Sequence, residues 1–449
     1  VIRHVAIIGA GFSGTLQAIN LLRHGGPRAT LIERAARPGL GLAYGAADPS
    51  HVLNVRAANM SAFPDEPDHF VRWLEARGVA DPATAFVPRL TYGTYLRQLL
   101  NEAQARAGDR LRIMQGDALD VIEDGDVCVQ FADGGEITAD AAVLAVGNLP
   151  PHAPPGLDPD ALSAHRYKGD PWEQSVGEGL TDTDTVLVIG TGLTMVDVVL
   201  MLDARGFSGR IVALSRRGLL PKRHAAPEPW EKIAEKPGQS GSWLVRALRE
   251  RAHAIGWSNA VDELRPYTQA LWAQAEESDR ARFLRHMRPW WDVHRHRLAP
   301  AVADRLEALR ASGRLQVVAG KTLAFHEDTE GVAVRYRPRG EDAPRDLRVQ
   351  RIVNCTGPQG DLLRTSEPLL RTLAARGAIR PDPEHLGLDV TVSGQVVRAN
   401  GSASDQLFAL GPMTRGAFWE IVAVPDIRRQ TWDVARRLSN AHWVGGEGL

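Results

Sequence analysis

Residues 1–22 read VIRHVAIIGAGFSGTLQAINLL, and residues 184–202 read DTVLVIGTGLTMVDVVLML. Each is a short apolar run, a glycine-punctuated turn, and then apolar positions at helical spacing. In the first, His4–Ile8 reads as a buried strand and Phe12–Leu22 as a helix. Between them Gly9, Gly11 and Gly14 make G-x-G-x-x-G. The first glycine allows a tight turn, the second lets backbone N–H groups approach a pyrophosphate, and the third lets helix pack on strand. The helix N-terminus faces that anion with its partial positive charge. A further apolar strand, Ala29–Ile32, ends in Glu33-Arg34, where an acid binds ribose hydroxyls. Ser13, Glu33 and Arg34 join the three glycines as the expected contacts of a dinucleotide.

In the second copy Thr185–Ile189 is the strand, Gly190 and Gly192 open the helix, and Met195 occupies the third glycine position. Thr194 lies in the same turn. The next strand, Arg210–Leu214, runs into Ser215-Arg216-Arg217 instead of an acid. An arginine here pairs bidentately with a 2′-phosphate, which an acid would repel. The preference implied is NADPH over NADH. Two dinucleotide sites on one chain suit a tightly held FAD at the first turn and a hydride donor that comes and goes at the second.

The rest of the chain is arranged around these units. At 449 residues it is too long for one typical domain. The expected organisation is an α/β chain with two Rossmann-like domains. A discontinuous FAD part covers 1–160 and 323–449. An NADPH part inserted at 180–322 carries a helical elaboration at about 227–300, rich in Trp, Arg and Leu. VLAVGNLPP (143–151), with Gly147, and IVNCTGPQG (352–360), with Gly357, are each a strand followed by glycine, and are read as the two crossings between domains. Asp126–Phe131 and Val332–Arg337 alternate apolar and polar as hairpin strands do, and both are assigned to the FAD part. The glycine-rich end after Trp443 reads as disordered.

Composition excludes several classes. The chain is 44% hydrophobic and 24% charged with a net charge of −1, which argues against nucleic-acid binding by bulk charge. Its two cysteines, Cys128 and Cys355, form no C-x-x-C, so neither a metal site, a disulfide framework nor a dithiol centre is expected. No apolar run is long enough for a bilayer. The start does not read as a signal peptide, and a cytoplasmic location is expected.

GLGLAYG (39–45), HVLNVRAANMSAFPDEPDHFVRWL (51–74), LRHMRPWWDVHRHRLAP (284–300), NCTGPQGDLL (354–363) and GAFWEIVAVPDIRRQ (416–430) resemble the bacterial FAD/NAD(P)-binding oxidoreductases. A wider similarity reaches flavin-containing and N-hydroxylating monooxygenases. Asn54, Met60, Phe63 and Pro67 keep the order of a motif in those families, and Tyr95-Leu96, Thr194 and Asp197 match further positions. The resemblance implies that Asn54 lies over the flavin, holding the nicotinamide amide or a C4a-peroxyflavin, with Met60 beside the cofactor. It also implies NADPH-dependent oxygenation of a small molecule by dioxygen, N-hydroxylation or a related reaction. The alternative it leaves is an oxidoreductase that passes electrons onward without oxygen insertion. The histidine-centred fingerprint of the monooxygenases is incomplete here. His165 and Tyr167 are present, but Pro159, Ala161 and Gly169 stand where an aromatic, a glycine and a second aromatic belong.

Two polar segments remain. In Arg288–Arg297, His294 and His296 are two apart and point away from each other on a helix, against a metal pair. Two readings are open for Arg288, Trp291 and His294: contacts to an anionic substrate or to NADPH phosphates in a cleft, or a buried structural network. In 411–429, the resemblance to two-dinucleotide flavoproteins implies that the strand Leu407–Leu410 delivers Gly411 and Gly416 toward the flavin ring, where glycine avoids collision. Trp419 either stacks in the substrate site or fills core, and Glu420 is a candidate general base.

Overall fold

The computed structural model describes residues 2–225, 237–238 and 241–439. The opening of the expected helical segment, at 227–236, and the tail after 443 lie outside the described residues.

The first glycine unit builds a six-stranded sheet in the order Gln395–Val397, Ala403–Ala409, Ala141–Leu144, His4–Ile8, Arg28–Glu33, Leu111–Gln115. All neighbours are parallel except the outermost pair, Gln395–Val397 and Ala403–Ala409. The central strand is apolar at every position from Val5 to Ile8 because both of its faces are covered. Val5 and Ile7 face helices Phe12–Arg23 and Val424–Leu438, through Leu21, Val434 and Leu438. Ala6 and Ile8 face the other way, onto Val121, Val127 and Val129 of a small antiparallel sheet. Full burial of a side chain the size of Ile7, which has no exposed surface, contributes about 1.5–3 kcal/mol.

The second unit repeats the plan in a seven-stranded sheet, ordered Arg345–Val349, Gly331–Pro338, Leu315–Asp328, Arg210–Ser215, Thr185–Ile189, Arg351–Asn354, Tyr167–Lys168. Its strand Thr185–Ile189 again pairs in parallel on both sides, with Val188 opposite Ala213 and Val353. Every strand of this sheet lies in sequence between Ala141–Leu144 and Ala403–Ala409, so the second sheet is an excursion from the first. One expectation is corrected here. Val332–Arg337 was assigned with the first sheet, but Gly331–Pro338 pairs antiparallel with Leu315–Asp328 of the second. The latter strand runs for 14 residues and carries its hairpin partner with it. Arg351–Asn354, which opens the passage read as a crossing, is the last strand of the second sheet in sequence, and from it the chain returns to the first.

Short helices occupy 241–295 and pack through Val261, Leu264, Trp272 and Trp291 onto Trp419. Among the described residues no helix is long and apolar enough to cross a membrane.

Candidate functional site

The two glycine turns have the same geometry. Gly9 N–H donates to Ile32 O at 2.9 Å, and Gly190 N–H to Leu214 O at 2.8 Å. Both glycines are left-handed, φ +102° and +115°. A Cβ on either would lie 2.3 or 2.1 Å from the carbonyl oxygen of Ala145 or Cys355, each at the end of the neighbouring strand. Only glycine fits. A Cβ on Gly14 would sit 1.8 Å from Gly9 O; Met195, its counterpart, is wholly buried between helix and second sheet.

Gly11 and Gly192 begin their helices in extended backbone, and neither helix has a side-chain cap or an acid in its first turn. The leading N–H groups are therefore open to an anion. Both turns lie where strand order reverses, between His4–Ile8 and Ala141–Leu144 and between Thr185–Ile189 and Arg351–Asn354. Such crevices receive dinucleotides.

The first site fits FAD. Glu33 uses one carboxylate oxygen to accept from Ala10 N–H and the other from Ala35 N–H, both at 2.9 Å. This fixes the acid beside the turn and leaves each oxygen a lone pair for a ribose hydroxyl. Ser13 is buried, and a Cβ on Gly411 would come within 2.5 Å of its Oγ, so the 411–414 turn closes directly on the first glycine helix. Gly39 N–H donates to Ala10 O at 2.8 Å, pressing the 39–45 segment on the same turn. Gly147, at φ +70°, borders open space. Arg34 reaches away, in an exposed bidentate pair with Glu367. Met60 is buried with Phe63 and Tyr95. Gly416 meets protein: a Cβ there would run into the Asp382 carboxylate at 2.5 Å, and its carbonyl accepts from Trp272 Nε1 at 2.7 Å.

At the second site Ser215 Oγ is 2.8 Å from Thr191 Oγ1, which itself donates to Leu219 O at 2.6 Å. Ser215 must then donate to Thr191, and it accepts from Gly218 N–H at 3.0 Å. Its hydroxyl orders the turn. Arg216 is exposed and, among the described residues, has no hydrogen bond or ion pair. Arg217 is half-buried, with its guanidinium 6.0 Å from the Trp290 ring centre. Thr194 is half-buried in the helix start, and Gly357, at φ +93°, follows the adjacent strand.

The two units meet at a seam that sequence spacing did not reveal. Arg89 and Asp197 form an ion pair at 2.7 Å, both largely buried. Burial pushes the Asp197 carboxyl up and Arg89 pulls it back. His51 Nε2 donates to Asp197 O at 3.2 Å while its Nδ1 accepts from Asp48 N–H at 3.0 Å, so the ring is neutral. Burial also lowers its pKa. Asn54 borders the same seam with Arg89, Leu193 and Asp197. Its carbonyl accepts from His224 Nε2 at 2.9 Å. Its side-chain amide has no hydrogen bond among the described residues.

In the helix Arg288–Arg295 the structure favours the network over the cleft at two positions. Trp291 Nε1 donates to Glu420 Oε1 at 2.6 Å, and Arg295 Nε to Glu420 Oε2 at 2.5 Å. Glu420, read as a candidate base, is a buried clamp with φ +73°. Trp419 is 2% exposed and stacks on Trp272 at 4.7 Å, which makes it core. His294 stacks on Trp257 at 5.5 Å. Among the described residues Arg288 pairs only with Asp292, at 3.4 Å.

The FAD-NAD(P)-binding family matches residues 6–149. No curated protein sequence matches the chain. Among solved structures, the fold is similar to a Kutzneria ornithine N-hydroxylase, at TM-score 0.68 and 14% identity, over 98% of this chain and 100% of that one. It is similar to the L-lysine 6-monooxygenase of Pseudomonas syringae, at 0.65 and 17%, over 99% and 100%. It also matches the bacillithiol disulfide reductase of Bacillus cereus, at 0.55 and 16%, over 98% and 99%. The first glycine turn thus lies in a stretch, residues 6–149, that matches the FAD-NAD(P)-binding family, and the whole chain has a fold shared with N-hydroxylating monooxygenases and a disulfide reductase.

Proposed function

We propose that the chain catalyses NADPH-dependent, FAD-mediated oxygenation of a small molecule, N-hydroxylation or a related reaction. Bound FAD would supply hydride acceptance and dioxygen activation. The protein's own work is positional. The helix starting at Phe12 and the acceptors of Glu33 hold the flavin nucleotide. The helix starting at Leu193 and the free guanidinium of Arg216 hold the phosphorylated nicotinamide. The Arg89–Asp197 seam keeps the two sites in register, and apolar walls around it limit water.

The observation that carries this reading is Asn54. Its amide offers one acceptor and two donors at the seam and is engaged by no described residue. A side chain of that kind can orient a nicotinamide amide and then donate to oxygen bound in the same space.

A second reading, electron transfer to another acceptor without oxygen insertion, draws on one observation. His165, the remnant of the monooxygenase fingerprint, is exposed. Two widely separated cysteines, one of them buried, offer no dithiol pair to such a reductase.

Anaerobic stopped-flow reduction by NADPH, followed by mixing with oxygenated buffer, separates the two. The expected result is bleaching of the flavin and then a resolved absorbing species before the oxidised spectrum returns. Direct return with no such species would favour the second reading and overturn the first.

A further inference from the structure

Where the short helices at 241–295 close over 411–426, one of four clustered arginines has no ion pair among the described residues. Arg295 is held by Glu420, Arg265 reaches Asp426 at 3.4 Å, and Arg288 reaches Asp292 at 3.4 Å. Arg415 faces the same group, close enough to feel Arg288, Asp292 and Glu420, yet it has no ion pair or hydrogen bond to any described residue. One of these four arginines thus has no acid of its own, and burial and then Arg295 lower the pKa of His296 beside them.

That arginine is held in place by an aromatic ring. The Arg415 guanidinium carbon lies 4.7 Å over the Trp419 ring, and Trp419 is fixed by its stack on Trp272. Its Nε is sealed from solvent with no hydrogen-bond partner, while the side chain as a whole remains partly exposed. A guanidinium presents a planar fork that matches a carboxylate. Burial, with Arg288 nearby, lowers the Arg415 pKa to about 10, so the group is still charged at neutral pH. Asp292 Oδ1, in the same cluster, is a buried acceptor with no partner. The place is also right for a reaction. Arg415 follows the 411–414 turn, whose Gly411 packs on Ser13 of the flavin turn.

We propose that Arg415 receives the carboxylate of the substrate, so that the substrate class is a small carboxylic acid, with a hydrogen-bond donor near the acid group turned to Asp292 Oδ1. This deepens the oxygenation reading and rests on it for the word substrate. The test does not use that reading, because it needs neither NADPH nor oxygen.

The FAD-loaded full chain, oxidised, is titrated with lactate, alanine and propanoate, and with lactamide and alaninamide, while flavin difference spectra and tryptophan fluorescence are followed. Saturable changes are expected with lactate or alanine, weaker ones with propanoate, and none with the amides. Arg415→Met should weaken the acid response at least tenfold, and Arg415→Lys should restore part of it. Flavin content and melting temperature check the fold of each variant, and if Arg415→Met does not fold, the Lys variant and the acid-against-amide contrast decide. Equal response to acids and amides, no response to any acid, or an unchanged response in a folded Arg415→Met would each overturn the proposal. So would displacement of the acids by 2′-AMP, which would assign Arg415 to a nucleotide phosphate.

Discussion

Arg216 has no partner among the described residues, whereas its neighbours do: Ser215 orders the turn and Arg217 leans toward Trp290. On the proposed reading, a free cation at the end of Arg210–Ser215 would separate the two nicotinamide cofactors. Arg216→Ala is expected to weaken NADPH by about 1.5–3 kcal/mol, the worth of a hydrogen bond to a charged group, or roughly ten- to a hundredfold. NADH should change little. The dissociation constants come from flavin reduction rates against cofactor concentration, and equal losses for both would remove the phosphate assignment. At this scale the sequence was legible wherever backbone geometry demanded one residue type. Gly9, Gly14 and Gly190 are needed because carbonyl oxygens lie where a Cβ would go. It was less legible for side chains whose neighbours come from elsewhere. Gly416 was read as a flavin contact, and the atoms that crowd it belong to Asp382.

Among the elements, the helix Arg288–Arg295 and the loop at 416–423 depend on each other. Glu420 receives Trp291 and Arg295 together, and no spacing rule connects residues so far apart in the chain. Burial alone would raise the Glu420 carboxyl, but Arg295, His296 and the Trp291 N–H hold it below its usual range. A carboxyl depressed on folding adds stability above its unfolded value of about 4.3 and loses it as pH falls through the lower folded value. The wild-type melting temperature should therefore fall steeply below that pH, and Glu420→Gln should flatten the fall. At neutral pH the variant leaves Arg295 without its acid and should lose about 3–5 kcal/mol. Melts across the acid range check both, and a variant with the wild-type acid dependence would contradict the clamp.

Across the whole molecule, the relation between the two dinucleotide sites is set by the seam at Arg89, Asp197 and His51. Asp197 lies on the second glycine helix and Arg89 at the start of the helix Arg89–Ala107, which packs against the first. Removing either charge strands the other in a buried place. Arg89→Met and Asp197→Leu are each expected to destabilise by about 3–5 kcal/mol. The double variant should lose less than the two combined, because apolar residues can fill the space. Denaturant unfolding of the four proteins measures the coupling, and strict additivity would show that the pair does not bind the units together.

What the sequence determined by itself is whatever short-range geometry dictates. Apolar runs covered on both faces, glycines at turns that admit no Cβ, and an acid or an arginine at the next strand end specify two dinucleotide units and their order. The tertiary structure decided what those units share. It placed Val332–Arg337 on the second sheet, assembled the seam from residues of both units, turned Glu420 from a candidate base into a clamp, and left Arg415 without an ion pair among the described residues. Those outcomes depend on which charges remain after distant segments have paired. Pairing between distant segments leaves no period in the sequence, since it is settled only when the folded chain removes both groups from water.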